Sequence, residues 1–347
     1  MGKIRVLLVE DSPTQRILEK KLLENDPEIE IIGEATDGEE AVEKALELKP
    51  DVILLDLQLP KMDGLEVIKK IMSKEPIPIL VLSSVVNKSE KFSSMEALRR
   101  GAVNVMEKPS IEKGQSWMQI ASEIIKNVKE VSKVHVVPHI EISTIAPPKP
   151  KVEMPEHEFE AVAIGASTGG PKLIHQILSA LPVDYPMPVF IVQHIAPGFD
   201  EGFAEWLDKT VNIKVKLAKS SEGAHPATAY VAPVGYHMKV TPERKIYLDD
   251  GPPVNNQKPS ADVLFESVAE VYGDKAIGVI LSGMGRDGAA GLKKMKERGA
   301  KVFALRAEDC VVFGMPGAAV EIGAVEKTSS LKEIIEFLVK AGEVSRK

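Results

Sequence analysis

Short apolar runs at residues 4–9, 29–33, 52–55, 79–82 and 103–106, each followed by a stretch of helical spacing, set the narrowest limit on how the first 130 residues can fold. Runs this short and this largely apolar suit strands covered on both faces. The segments between them, such as Glu39-Glu40-Ala41-Val42-Glu43-Lys44-Ala45-Leu46, carry the periodicity of a helix that buries one side. Strand and helix in strict alternation imply a doubly wound α/β sheet with parallel strands. In such a sheet, ligands bind at the carboxyl ends of the strands.

The alternation stops once. Residues 131–160 hold five prolines (Pro138, Pro147, Pro148, Pro150 and Pro155) and no glycine, a composition that favours an extended spacer. The pattern then restarts at Ala161-Val162-Ala163-Ile164-Gly165. The expected organisation is a domain over residues 1–130, a linker over 131–159 and a second domain over 160–347. Lys plus Arg is 44 and Asp plus Glu is 51, so the chain is acidic, with a formal net charge of -7. An acidic chain is poorly suited to nucleic-acid backbones, which select basic surfaces. The single cysteine, Cys310, has no partner for an internal disulfide or a cysteine-type zinc site. No apolar run approaches the roughly 18 residues of a membrane helix, and none at the start resembles a signal peptide. The expectation is a cytoplasmic protein without direct membrane insertion.

The expected strand ends of the first domain carry Glu10-Asp11, Asp56, Ser83-Ser84 and, after the fifth strand, Lys108-Pro109. Three carboxylates on one rim repel unless a cation joins them, and oxygen ligands favour a hard divalent ion, magnesium above all. A lysine beside them supplies a fixed charge for a phosphoryl oxygen. Together these suit phosphoryl transfer to a carboxylate nucleophile. Singly, each acid also fits a solvated strand end or a helix cap.

In the second domain a strand runs into Gly165-Ala166-Ser167-Thr168-Gly169-Gly170-Pro171 and then a helical period from Lys172. Such turns either seat a dinucleotide pyrophosphate or present a serine nucleophile. A dinucleotide turn reads G-x-G-x-x-G with an acid about 20 residues on. Here the next strand ends in Gln193-His194. A serine and a histidine on one rim are what general-base activation of a hydroxyl requires. A third strand, from Ala276, leads into Ser282-Gly283-Met284-Gly285-Arg286-Asp287-Gly288. Ser167, His194 and Asp287 thus form a candidate hydrolytic triad, with backbone N–H groups of the glycine-rich turns, that of Met284 included, as oxyanion donors. Taken alone, Ser167 also reads as a helix cap, His194 as a structural histidine and Asp287 as a turn residue. Of the other histidines, His135, His139 and His157 fall in the proline-rich segment, His175 in a helix, and His225 and His237 beside short strands.

Two resemblances follow from these motifs. Residues 1–125, through Val-Glu10-Asp11-Ser, Leu-Leu-Asp56-Leu-Gln-Leu-Pro60-Lys-Met-Asp63-Gly64, Leu-Ser83-Ser84 and Glu-Lys108-Pro109, resemble the receiver domain of two-component response regulators. That implies a flavodoxin-like (βα)5 fold with Asp56 as phospho-acceptor. It also implies Mg²⁺ held by Glu10, Asp11, Asp56 and the Gln58 carbonyl, with Ser83 and Lys108 as the switch hydroxyl and lysine. Residues 158–345, through Ile164–Pro171, Val192-Gln193-His194, Pro197-Gly198-Phe199, Lys258–Phe265, Leu281–Gly288 and Cys310–Pro316, resemble the catalytic domain of the CheB protein-glutamate methylesterases. This second resemblance implies a doubly wound, mainly parallel α/β serine hydrolase. Its triad carries over to Ser167, His194 and Asp287, and its oxyanion donors to the backbone of Thr168 and Met284. It further implies that methyl-accepting chemotaxis receptors are the substrates, that receptor glutamines are deamidated, that the histidine kinase CheA is the phosphodonor, and that the esterase step needs no cofactor.

Overall fold

A computed structural model describes residues 2–84, 88–109, 116–134 and 158–345. The segment over 135–157, which contains most of the expected linker together with His135, His139 and His157, lies outside the described residues. The chain divides into two compact units, Met1–Ile145 and Ala146–Lys347.

In the first unit the elements follow as β1 (Ile4–Val9), α1 (Pro13–Leu23), β2 (Ile29–Ala35), α2 (Gly38–Leu48), β3 (Val52–Asp56), α3 (Gly64–Lys74), β4 (Ile79–Ser83), α4 (Lys88–Arg100), β5 (Asn104–Glu107) and α5 (Trp117–Val131). The sheet has the order β2-β1-β3-β4-β5 with every pair parallel. Helix starts are written in the sequence. Ser12 caps α1 ahead of Pro13, the Asp37 carboxylate accepts from the Glu39 and Glu40 N–H groups at 3.0 Å each, and Asp63 accepts from Glu66 at 2.8 Å. The sheet interior is Val6, Leu7, Leu8, Ile53, Leu54, Leu80 and Val81, all fully buried, as strands covered on both faces require.

The second unit continues with β6 (Ala161–Ala166), α6 (Gly170–Ala180), β7 (Val189–Gln193), α7 (Asp200–Thr210), β8 (Lys214–Leu217), β9 (Thr228–Val231), β10 (His237–Val240), β11 (Ile246–Asp249), α8 (Ala261–Tyr272), β12 (Ala276–Ile280), α9 (Ala289–Glu297), β13 (Lys301–Ala304), α10 (Met315–Glu321) and α11 (Leu331–Val344). Six strands form one sheet, β13-β12-β6-β7-β9-β8, with all pairs parallel, and β10 with β11 makes a separate antiparallel hairpin. The expected α/β class, with one parallel and one mainly parallel doubly wound sheet, is what the topology gives. From β6 the chain crosses to β7 on one side and later returns to β12 on the other. The crevice outside the carboxyl ends of β6 and β12 is therefore the sheet's switch point. Ser167 follows β6, His194 follows β7, and the loop bearing Asp287 follows β12.

Candidate functional site

In the first unit the rim carries a cleft of about 680 Å³ lined by Glu10, Asp11, Asp56, Gln58 and Lys108 among others. Glu10 and Asp56 are buried and Asp11 is exposed. Oxygens of the three carboxylates lie within 4.8 Å of one another, a spacing that one hard cation with oxygen ligands can span. Lys108 Nζ stands 2.7 Å from Glu10 Oε2 and 2.8 Å from Asp56 Oδ2. Burial raises the Glu10 carboxyl above its usual range despite the opposing lysine. Burial would lower the Lys108 ammonium, but hydrogen bonds to Asp56 and Glu10 outweigh it and hold it above its usual value. The Gln58 N–H donates to Asp56 Oδ1 at 3.1 Å, folding the chain back over the aspartate. Ser83, at the end of β4, is buried and its oxygen accepts from the Ser94 hydroxyl at 2.9 Å. The Lys108 N–H donates to the Ser83 carbonyl at 3.0 Å, tying lysine and serine to adjacent strand ends. All six receiver residues singled out in the sequence thus meet on one rim.

In the second unit, parallel pairing sets Ala166 beside Gln193, so Ser167 and His194 leave adjacent strands at the same level. The His194 N–H donates to the Ala166 carbonyl at 2.9 Å. His194 Nε2 lies 2.9 Å from Asp287 Oδ2. Its Nδ1 is buried and has no hydrogen-bond partner among the described residues, the Ser167 hydroxyl included. With Nε2 engaged by the carboxylate, the free lone pair of the neutral ring sits on Nδ1. This reverses the more familiar assignment of the two ring nitrogens.

Asp287 is 2 % exposed and is held by several donors. Its Oδ2 accepts from His194 and from the Ala261 N–H at 2.6 Å, and its Oδ1 accepts from the Ser260 hydroxyl at 2.5 Å, from Asn255 Nδ2 at 3.3 Å and from the Asp262 N–H at 3.4 Å. The first N–H groups of α8 therefore face the carboxylate, where the helix dipole favours a negative charge. Burial acts to raise this carboxyl, but the His194, Ser260 and Ala261 hydrogen bonds win and keep it below its usual range.

The serine turn is held from two directions. The buried Gln193 donates from Nε2 to the Ser167 carbonyl at 2.9 Å and to the His194 carbonyl at 2.8 Å. The Ser167 N–H donates to the Ser282 carbonyl at 2.9 Å, and the Ser282 hydroxyl donates to the Thr168 carbonyl at 2.8 Å while accepting from the Val312 N–H at 2.9 Å. Two positions require glycine. Gly169 has φ +79° and a side chain there would sit 2.5 Å from Val311, while one at Gly283 would sit 2.6 Å from Ser167 Cβ. The Gly170 N–H closes on the Ser167 carbonyl at 2.8 Å. With the Ser167 and Gly170 N–H groups both used inside the protein, the turn lacks the open row of donors that cradles a pyrophosphate. The N–H groups of Thr168 and Met284 donate no hydrogen bond among the described residues.

Sequence reasoning singled out Ser167, His194 and Asp287 but not the groups that hold them. Ser260 reads as an ordinary helix cap, and only the absence of a cap bond in α8 reveals that its hydroxyl has gone elsewhere. Gln193 is the polar end of an otherwise apolar run, a weak signal that a buried amide is needed. Ser282 sits among glycines and looks like turn chemistry.

The family model described as CheB methylesterase matches residues 162–338, and that described as response regulator receiver domain matches residues 6–115. Protein-glutamate methylesterase/protein-glutamine glutaminase 1 of Syntrophus aciditrophicus (strain SB) is 42% identical over 349 residues, covering 99% of each chain. Protein-glutamate methylesterase/protein-glutamine glutaminase of Archaeoglobus fulgidus is 40% identical over 350 residues, covering 98% of this chain and 99% of the relative. The crystal structure of the Thermotoga maritima CheB methylesterase catalytic domain is 38% identical with a TM-score of 0.50, covering 53% of this chain and 98% of that one. With a receiver domain preceding a catalytic domain whose rim gathers serine, histidine and aspartate, this chain belongs to the CheB methylesterase family.

Proposed function

We propose that residues 1–130 form the phosphorylated receiver, 131–159 the linker and 160–347 the catalytic domain, and that Ser167, His194 and Asp287 carry the hydrolysis. The enzyme is a protein-glutamate methylesterase and protein-glutamine glutaminase of chemotaxis, regulated by phosphorylation, in line with its relatives. The Ser167 hydroxyl attacks the side-chain carbonyl of a methylated glutamate, and His194 Nδ1 takes its proton. Collapse of the tetrahedral intermediate breaks the bond to the methoxy oxygen, which leaves as methanol with that proton. Water then attacks the acyl-serine, His194 again moves the proton, and glutamate is released. A glutamine amide follows the same course with ammonia leaving. Asp287 fixes the ring and stabilises its charged form, and the N–H groups of Thr168 and Met284 face the oxyanion. The 2.9 Å contact between His194 and Asp287, one strand end from Ser167, is the observation that carries this reading.

In the receiver, Asp56 is the phospho-acceptor, with Lys108 and Ser83 set to meet phosphoryl oxygens. Glu10, Asp11, Asp56 and the Gln58 carbonyl would hold Mg²⁺, which when bound neutralises the carboxylates and the incoming phosphoryl group. The phosphodonor is the chemotaxis kinase CheA, and the substrates are methyl-accepting chemotaxis receptors, met in the cytoplasm. Among the described residues no helix is long and apolar enough to cross a membrane. Labelling with a serine-directed fluorophosphonate tests the assignment: Ser167 takes the label, and Ser167→Ala lowers methanol release by about 10⁶-fold. Near-normal release from Ser167→Ala would overturn it.

A further inference from the structure

His237 opens β10, is 2 % exposed, and faces the N-terminus of α8. Its Nδ1 accepts the Ser260 N–H at 3.1 Å and its Nε2 lies 3.0 Å from the Pro252 carbonyl. A carbonyl only accepts and an N–H only donates, so the proton is on Nε2 and the lone pair on Nδ1. The tautomer is imposed from both sides. Ser260 is itself fully buried and stands at the cap of α8, where a serine hydroxyl ordinarily turns back to the helix N–H groups. Instead it donates to Asp287 Oδ1 at 2.5 Å, and the next N–H, that of Ala261, reaches Oδ2 at 2.6 Å. Pinning the Ser260 N–H holds the cap residue at φ -111°, ψ 136°, the setting from which both groups reach one carboxylate.

We infer that His237 is a positioning residue for the hydrolysis, acting through Ser260 to aim Asp287 at His194. The inference deepens, and rests on, the assignment of Ser167, His194 and Asp287. A continuous chain runs from the Pro252 carbonyl through His237, Ser260 and Asp287 to His194. Removing the acceptor at Nδ1 leaves the Ser260 N–H buried without a partner and frees its hydroxyl to return to the helix.

The test uses the full chain with a methylated receptor fragment as substrate. His237→Leu fills the space without an acceptor. His237→Asn sets its carbonyl where Nδ1 stood, and His237→Gln sets its carboxamide where Nε2 stood. The leucine and glutamine variants are expected to lower kcat by about 10- to 100-fold, the scale on which loss of a supporting partner acts at metal-bound histidines, with KM changed less than about twofold. The asparagine variant is expected to keep kcat within about threefold of the unsubstituted chain. The downfield proton resonance of the His194–Asp287 hydrogen bond should move in the leucine and glutamine variants and stay in place in the asparagine variant. Should His237→Leu not fold, the order of asparagine over glutamine decides. Equal losses in those two variants, tracking their folded fraction, or an unmoved kcat and resonance in His237→Leu, would overturn the inference. Ser167→Ala in parallel separates the two levels. Retained activity there removes the triad itself, whereas a dead Ser167→Ala beside a fully active His237→Leu removes only the role of His237.

Discussion

Asp287 shows how much of the proposed triad lies outside its three members. Two of its firmest donors, the Ser260 hydroxyl and the Ala261 N–H, come from the start of one helix, and both oxygens are saturated. An amide at this position would turn an NH₂ toward one of these donors. Asp287→Asn is therefore expected to lower kcat by about 10³- to 10⁴-fold, measured as methanol release at constant folded fraction. The depressed carboxyl also links to stability. Because its folded value lies below the unfolded one, the ionised group contributes stability at neutral pH, and that contribution is lost as pH falls through the folded value. Acid unfolding of the catalytic unit should accordingly be shallower in Asp287→Asn, as read by circular dichroism. The three proposed triad positions stood out in the sequence because Ser167 and His194 follow directly on apolar runs, and Asp287 lies in the glycine-rich loop after a third. Their supports were not, because a buried serine hydroxyl or glutamine amide leaves no periodic trace.

At the scale of elements, α1 departs from its own pattern. Glu19 is fully buried alongside Leu22 and Leu23, on the face where a helix of this kind places apolar residues. Its Oε1 accepts from Gln15 Nε2 at 3.1 Å, the same nitrogen that reaches the Pro109 carbonyl at 3.2 Å, and its Oε2 has no partner among the described residues. Burial, with the nearby Glu10 charge adding to it, pushes the Glu19 carboxyl up to about 8. The folded value exceeds the unfolded one, so the neutral form is favoured on folding. The stability it permits is fully present below about 4.5 and is lost as pH rises toward about 8. Thermal unfolding of the receiver should weaken over that window, and Glu19→Gln should flatten the dependence. Glu19→Leu is expected to stabilise the receiver at pH 8 by about 1–3 kcal/mol. Strand positions were well read from apolar runs, since only a two-sided sheet demands them; β3, for example, lies over Val52–Asp56 where a run at 52–55 was expected. The burial of Glu19 was not readable, because a charged residue in an amphipathic helix points by default to water.

For the whole molecule, two parallel sheets each bring chemistry to their carboxyl edge, one accepting phosphate and the other breaking an ester. Phosphorylation at Asp56, the proposed acceptor, replaces a single carboxylate charge with about -1.5 to -2 spread over a bulkier phosphoryl group, a change able to bias a two-state arrangement. The family resemblance implies a receiver that restrains the catalytic unit until phosphorylated. Removal of residues 1–150 is therefore expected to raise basal methanol release. Asp56→Asn should leave the full chain unresponsive to a small-molecule phosphodonor, with its basal rate intact. A truncated chain no faster than the full one would count against restraint.

All-parallel pairing in the catalytic sheet has a practical corollary. The amino-terminal rim, where α6 returns to β7, holds none of the reacting groups, and Val183 there is 70 % exposed. The sole thiol, Cys310, is half-buried and pushed up to about 12 by burial and by the neighbouring Asp309 and Glu308, so it is almost wholly protonated and sluggish toward alkylating dyes. A cysteine introduced at 183 would thus take a single fluorophore without prior mutagenesis of the native one, giving an optical handle on turnover that hydrolysis itself does not feel.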